Sequence, residues 1–255
     1  MEKWKHAAEC FIASCTFKNE IAAVFLTGSF AFGNADEFSD IDLFIVLSST
    51  TNWRERGNKL VNGLRVEYFA NPISQIKKYI ENSHASVQII EINMILGGMV
   101  IYNKNHAAEE IIAYCKEKTA EDFPKMSEFG IKTGLYMLWD CCDEMQRAFL
   151  LQRPDAALQF YCFIRSAFEL YSQFISSPVP GYHKLYRWLT DDDYNKKYGL
   201  AVYNDLVFLE MMKAAISCPV NAAMLGMACD IYEYIADKMG GIDMDDFILR
   251  GPCEL

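Results

Sequence analysis

The sequence predicts an α/β domain followed by an α-helical bundle. Three observations carry that prediction. Short apolar runs, some with two-residue alternation, fill the first half and read as strands between helices. After Pro124 this pattern stops and long runs with helical spacing replace it. The composition, 52% hydrophobic and 23% charged over 255 residues, suits a globular chain with enough apolar material for two modest cores. The expected domains are 1–122 and 123–255.

Residues 3–18 place Trp4, Ala7, Ala8, Phe11, Ile12 and Cys15 at helical spacing. Residues 21–27, IAAVFLT, form a short apolar run that reads as a buried strand ended by Gly28-Ser29. Residues 29–38 read as a turn or short helix. Residues 40–47, DIDLFIVL, are the clearest strand: Asp40, Asp42 and Phe44 alternate with Ile41, Leu43 and Ile45. The serine and threonine run at 48–51 is placed to cap a helix near 52–62. Asn62-Gly63 is a strong turn signal, and LRVEYFA at 64–70 reads as another strand. Helices are expected at 72–80, 84–96 and 106–118, with a short strand at 99–102. Beyond Pro124, helices are expected near 126–151, 154–175, 199–216 and 219–239, and Pro178 and Pro180-Gly181 interrupt the middle.

The formal net charge is -10. Nucleic-acid binding relies on clustered Lys and Arg, so this balance argues against a protein whose main task is to coat DNA or RNA, and suits a cationic partner better. Nine cysteines, scattered apart from the adjacent Cys141-Cys142, are most simply reduced thiols of a cytoplasmic protein. The N-terminal residues carry no secretory pattern, and the apolar runs are too short to span a membrane.

Two aspartates at i and i+2 on a strand share a face, and their like charges repel unless something offsets them. A hard divalent cation such as Mg²⁺ does so with oxygen ligands. Glu67, the only acid within the strand expected at 64–70, is the natural third ligand. Asp40, Asp42 and Glu67 are therefore the expected metal and catalytic residues. Gly28 lets the backbone turn sharply and approach a ligand, Ser29 offers a hydroxyl to phosphate oxygens, and Gly33 accommodates a second bend. The bland alternative is that the aspartates are a cap and a solvated edge residue.

Residues 28–42, GSFAFGNADEFSDID, resemble the nucleotidyltransferase signature of the DNA polymerase beta superfamily, written G-S-x-x-x-G followed by a short gap and S-D-I-D. Gly28, Ser29, Gly33, Asp40 and Asp42 match, and Ser39 is the serine of S-D-I-D. Glu67 takes the place of the third carboxylate, where many members carry Asp. The resemblance is strong over about residues 20–70. A minimal catalytic domain followed by helices is similar in layout to bacterial aminoglycoside (antibiotic) nucleotidyltransferases. The resemblance implies an α/β nucleotidyltransferase core with a short mixed sheet, then an α-helical bundle domain. It also implies ATP or another nucleoside triphosphate, two Mg²⁺ ions, and nucleoside monophosphate transfer to an acceptor hydroxyl, with antibiotic resistance as one outcome. Gly28, Ser29, Gly33 and Ser39 are then expected to contact the nucleotide.

Further residues have two readings each. Glu91, in the apolar helix VQIIEINMIL, is a general base or part of an ordinary polar stripe with Gln88. Lys184 and Arg187 reach phosphates or form a solvated basic turn. Asp140, Asp143 and Glu144 hold amines of a cationic acceptor or make a solvated helix face. Arg165 pairs with Glu169 at i+4. Tyr161, Phe168, Tyr171 and Phe174 read as core.

A small-molecule acceptor is the leading expectation. A protein acceptor stays open, nucleic acid is disfavoured, and the apolar helical domain makes a homodimer plausible. The alternatives are nucleotidylation of a protein or RNA end, and an inactive nucleotide-binding interaction module. A P-loop ATPase is a weak fourth alternative because there is no G-x-x-x-x-G-K-[ST], and no Rossmann G-x-G-x-x-G is present.

Overall fold

A computed structural model describes residues 3–197, 200, 203–219 and 223–251. The chain forms two compact units, with the main division between Phe123 and Pro124. In chain order the first unit contains α1 (Lys3–Ser14), β1 (Ile21–Thr27), the single turn α2 (Gly28–Ala31), β2 (Ile41–Leu47), β3 (Glu55–Val61), β4 (Leu64–Pro72), α3 (Ile73–Ala85), α4 (Ile90–Leu96), β5 (Met99–Asn103) and α5 (Ala107–Thr119). The helical region continues with α6 (Glu128–Leu150), α7 (Ala156–Phe174), α8 (Tyr182–Thr190), α9 (Asp192–Lys197), α10 (Leu206–Ser217) and α11 (Ala223–Met239). The expected class, a short mixed sheet followed by helices, is the observed one.

The strands form one sheet in the order β3-β4-β2-β1-β5. Only β2 and β4 run parallel; the other neighbours are antiparallel. The two-residue alternation of β2 divides its side chains between two cores. Ile41, Leu43, Ile45 and Leu47 join Phe11 and Ala8 of α1 on one face. Phe44 and Val46 join Ile76 and Ile80 of α3, Ile92 of α4 and Ile111 of α5 on the other. A strand apolar on both faces must be central, and β2 occupies the middle of the sheet. Asp42 is its polar exception, on the face that Phe44 and Val46 bury further along.

The helix expected near 52–62 is a correction: Glu55–Val61 is the edge strand β3. It pairs antiparallel with β4 from Glu55↔Ala70 to Val61↔Leu64. Asn62 and Gly63 both have positive φ, 52° and 79°, so they form a two-residue hairpin turn of the left-handed kind. The turn signal was correctly located, but the segment before it belonged to the hairpin. The helix expected at 84–96 is also shorter. α3 runs on to Ala85, and Val87 at φ 53° separates it from α4.

In the second unit, one core joins α6, α7, α8, α10 and α11 through residues such as Leu138, Phe163, Phe168, Trp188, Phe208 and Ile231. Phe168 and Tyr171 are buried there as expected, and Phe174 packs against them, but Tyr161 is exposed. Arg165 does pair with Glu169, at 3.3 Å. For the helix expected at 199–216, positions 199, 201 and 202 lie outside the described residues. Tyr203–Asp205 is not helical, and α10 starts at Leu206. Positions 220–222 of the helix expected at 219–239 also lie outside them. No helix among the described residues is long and apolar enough to cross a membrane.

Asp205 ties three helices of this unit together. Its carboxylate caps α10 by accepting from Phe208 N–H at 3.0 Å, and it accepts from Tyr171 of α7 at 2.5 Å and Tyr234 of α11 at 2.8 Å. Burial raises the Asp205 pKa, but hydrogen bonds from Tyr171, the Phe208 N–H and Tyr234 outweigh it and hold the carboxyl below its usual value. A depressed folded pKa means that the contribution is complete above the unfolded value and fades as pH falls through the folded one. Asp205→Ala is expected to cost about 2–4 kcal/mol at neutral pH in urea denaturation, since a cap and two charge-assisted bonds are lost together. The difference from wild type should shrink as the pH is lowered below about 4.

Candidate functional site

Sheet register builds the site. Across the sheet, Thr27 of β1 pairs with Asp42 of β2, Asp42 with Glu67 of β4, and Glu67 with Asn58 of β3. Laterally paired residues point to the same face, so these four side chains form a row on the α3–α5 face of the sheet. Thr27 is buried at 3% exposure, and its hydroxyl lies 3.4 Å from the backbone carbonyl of Asp42. Asp40, just before β2, completes the acidic group. Asp40, Asp42 and Glu67 each offer a carboxylate oxygen, and the three oxygens lie within 4.8 Å of one another. All three residues are part-buried. Three hard oxygen donors converging this closely fit a divalent cation such as Mg²⁺.

The turn after β1 closes against this group. Gly28 has φ +64°, and a Cβ there would stand 1.9 Å from Asp42 Oδ2. Glycine is thus required twice over, for the left-handed backbone and for the approach of the aspartate. Ser29 follows in α2, and Asn34 N–H donates to its carbonyl at 3.0 Å. Gly33 has φ +66° but open space beside it. Ser39 is engaged within its own loop: its hydroxyl donates to Asp36 Oδ1 at 2.8 Å and accepts from the Asp36 N–H at 2.9 Å. The Ser39 hydroxyl first, and then the Phe38 N–H, donate to the Asp36 carboxyl and hold it below its usual pKa. The closed loop from Asp36 to Ser39 leads directly into Asp40, so Ser39 acts here on the backbone that presents Asp40.

Glu91 is not one of the three clustered carboxylates. Glu91, in the first turn of α4, accepts from the Ser83 hydroxyl of α3 at 2.7 Å. Its charge, after burial, helps push the Cys115 thiol of α5 up to about 12. It is therefore a group held among α3, α4 and α5, outside the three-carboxylate cluster. Lys184 is an exposed residue of α8 in the second unit. Glu144 and Asp143 already have cationic partners: Glu144 meets Arg153 at 2.5 Å, and Asp143 meets Arg147 at 4.0 Å.

Three residues beside the acids were not anticipated: Thr27, Asn58 and Arg56. Arg56 donates to Glu67 Oε1 at 2.8 Å. Asn58 and Arg56 both lie in the segment expected as a helix near 52–62, which is the strand β3. The signal that would have found them is the Asn62-Gly63 hairpin, which demands a partner strand before it as well as after it.

Gly28→Ala is expected to cost more than Gly33→Ala. Both place a Cβ on a left-handed backbone, about 1–2 kcal/mol. Only the first also drives a methyl into Asp42. Chemical denaturation should show the larger loss for Gly28→Ala, and Mn²⁺ titration should show weakened binding for that variant alone. Equal stabilities and equal Mn²⁺ affinities would refute the tight packing of the turn on Asp42.

No curated protein matches the chain. Among solved structures, it is similar to a nucleotidyltransferase-like protein from Exiguobacterium sibiricum 255-15, with 10% sequence identity, a TM-score of 0.47, and coverage of 92% of this chain and 74% of that one. Residues 11–96 match the family model described as nucleotidyltransferase domain. That segment contains the Gly28 turn and all three carboxylates. The chain thus carries a nucleotidyltransferase-like domain with a candidate acidic metal-binding group, an arrangement that supports catalytic potential.

Proposed function

We propose that this chain transfers a nucleoside monophosphate, AMP from ATP, to a hydroxyl of a small molecule such as an aminoglycoside, and releases pyrophosphate. The observation that carries this reading is the convergence of Asp40, Asp42 and Glu67 beside the Gly28 turn, within a segment that matches the nucleotidyltransferase domain.

Asp40, Asp42 and Glu67 would hold divalent metal, with Mg²⁺ as the fitting ion and two ions as the full complement. When bound, the metal supplies positive charge to the triphosphate and to the oxygens that enter and leave the α-phosphorus. The chain's own residues do the rest. Gly28 keeps the turn slim enough for a phosphate chain to approach Asp42. The Ser29 hydroxyl would donate to a phosphate oxygen. The acceptor oxygen forms its bond to the α-phosphorus as the bond to the pyrophosphate oxygen breaks, and the hydroxyl proton passes to a carboxylate of the acidic group. The net charge of -10 favours a cationic acceptor over nucleic acid.

The test is mass spectrometry of reactions containing ATP, Mg²⁺ and a pool of aminoglycosides, sugars and cell-extract metabolites. A product heavier by one AMP unit is expected. Asp42→Asn should lower its formation by more than about 100-fold, because loss of groups that merely support metal ligands already costs 10–100-fold. A folded Asp42→Asn protein with wild-type turnover would remove the acidic group from the reaction. A product found only on protein or RNA would replace the small-molecule acceptor.

A further inference from the structure

The acidic group carries a counter-charge from its own sheet. Arg56 sits on the edge strand β3, paired with Phe69 of β4, while Asn58 is the residue directly across from Glu67. Arg56 and Asn58 are two positions apart and share a face, so the guanidinium reaches Glu67 along the diagonal. Its Nη2 is 2.8 Å from Glu67 Oε1, and its Cζ is 4.2 Å from the centroid of the Phe69 ring. The Arg56 side chain is 68% exposed, against 21% for Glu67.

This geometry has two consequences. The cationic guanidinium rests on a carboxylate that would also serve a metal ion. The two cations compete for the same negative charge. The pair is one nitrogen on one oxygen, not a bidentate fork, and its cationic side is open to water. Such a contact is weak and readily exchanged. The Phe69 ring keeps the arginine near the site when its carboxylate partner is taken.

We propose that Arg56 is a displaceable placeholder: it neutralises Glu67 in the metal-free protein, gives way to the divalent cation on loading, and thereby lowers the metal affinity of the acidic group. The proposal rests on the reading of Asp40, Asp42 and Glu67 as a metal centre. Its direction is the opposite of what a positioning role would give. An arginine that aimed Glu67 at the metal would strengthen binding, and its removal would weaken it.

The experiment is titration of the full chain with Mn²⁺ alone, read from the electron paramagnetic resonance signal of free Mn²⁺. Wild type is compared with Arg56→Gln, Arg54→Gln and Asp42→Asn. Arg56→Gln should bind Mn²⁺ about two- to five-fold more tightly, as an exposed ion pair allows. Arg54, whose guanidinium is bonded to the Tyr79 hydroxyl, supplies a control for general charge removal. Arg54→Gln should match wild type. Unchanged or weaker binding by Arg56→Gln, or equal tightening by Arg54→Gln, overturns the placeholder. If Asp42→Asn weakens Mn²⁺ binding while Arg56→Gln does not alter it, the placeholder fails and the metal centre stands. If Asp42→Asn binds as wild type does, the metal centre fails and takes the placeholder with it.

Discussion

Asp42 and Glu67 are direct neighbours across two parallel strands, and Asp40 stands beside them. Like charges at this spacing oppose folding unless the rest of the molecule compels them together. The compulsion comes from ordinary packing. Ile41, Leu43 and Ile45 must face α1, and Phe44 and Val46 must face α3–α5. A one-residue slip of β2 would turn every one of these side chains to the wrong core. The apolar register therefore holds the carboxylates in place, and the Gly28 turn and the Asp36–Ser39 loop then shape the space around them.

That logic explains what was legible in the sequence. The alternation in Asp40–Ile45 shows its period locally, and Glu67 was identifiable as the lone acid of its strand. β3 was not legible in the same way. ERGNKLV carries few residues that favour a strand, and it becomes one because the hairpin lays it against β4. Arg56 was lost with it. The break at Val87 is similar: a β-branched residue on a left-handed backbone follows no local preference. Ser39 was recognisable as part of a signature, but its bonds to Asp36 depend on how the loop closes. Glu91 drew attention as a charge in an apolar helix, and the structure accounts for it through Ser83.

The second unit uses part-buried polarity differently. Around Asp205 each of two tyrosine hydroxyls donates to one carboxylate, and the same carboxylate starts a helix. This charge is matched with donors, so it specifies which helices meet. In the first unit, by contrast, three carboxylates are gathered so that their oxygens lie within 4.8 Å of one another. Polar groups that are satisfied rigidify a core, whereas an excess of one sign creates demand for a ligand.

The two borders of the five-stranded sheet differ in kind. β3 presents Glu55, Arg56 and Lys59 along one border, and charged side chains of this sort discourage another strand from adding there. β5 closes the other border with Met99, Val100 and Tyr102, which are 47%, 41% and 36% exposed. The border nearer the acids is thus guarded against intermolecular pairing, and Arg56 on it also stands beside the site. The apolar border is the one along which misassembly between copies would begin.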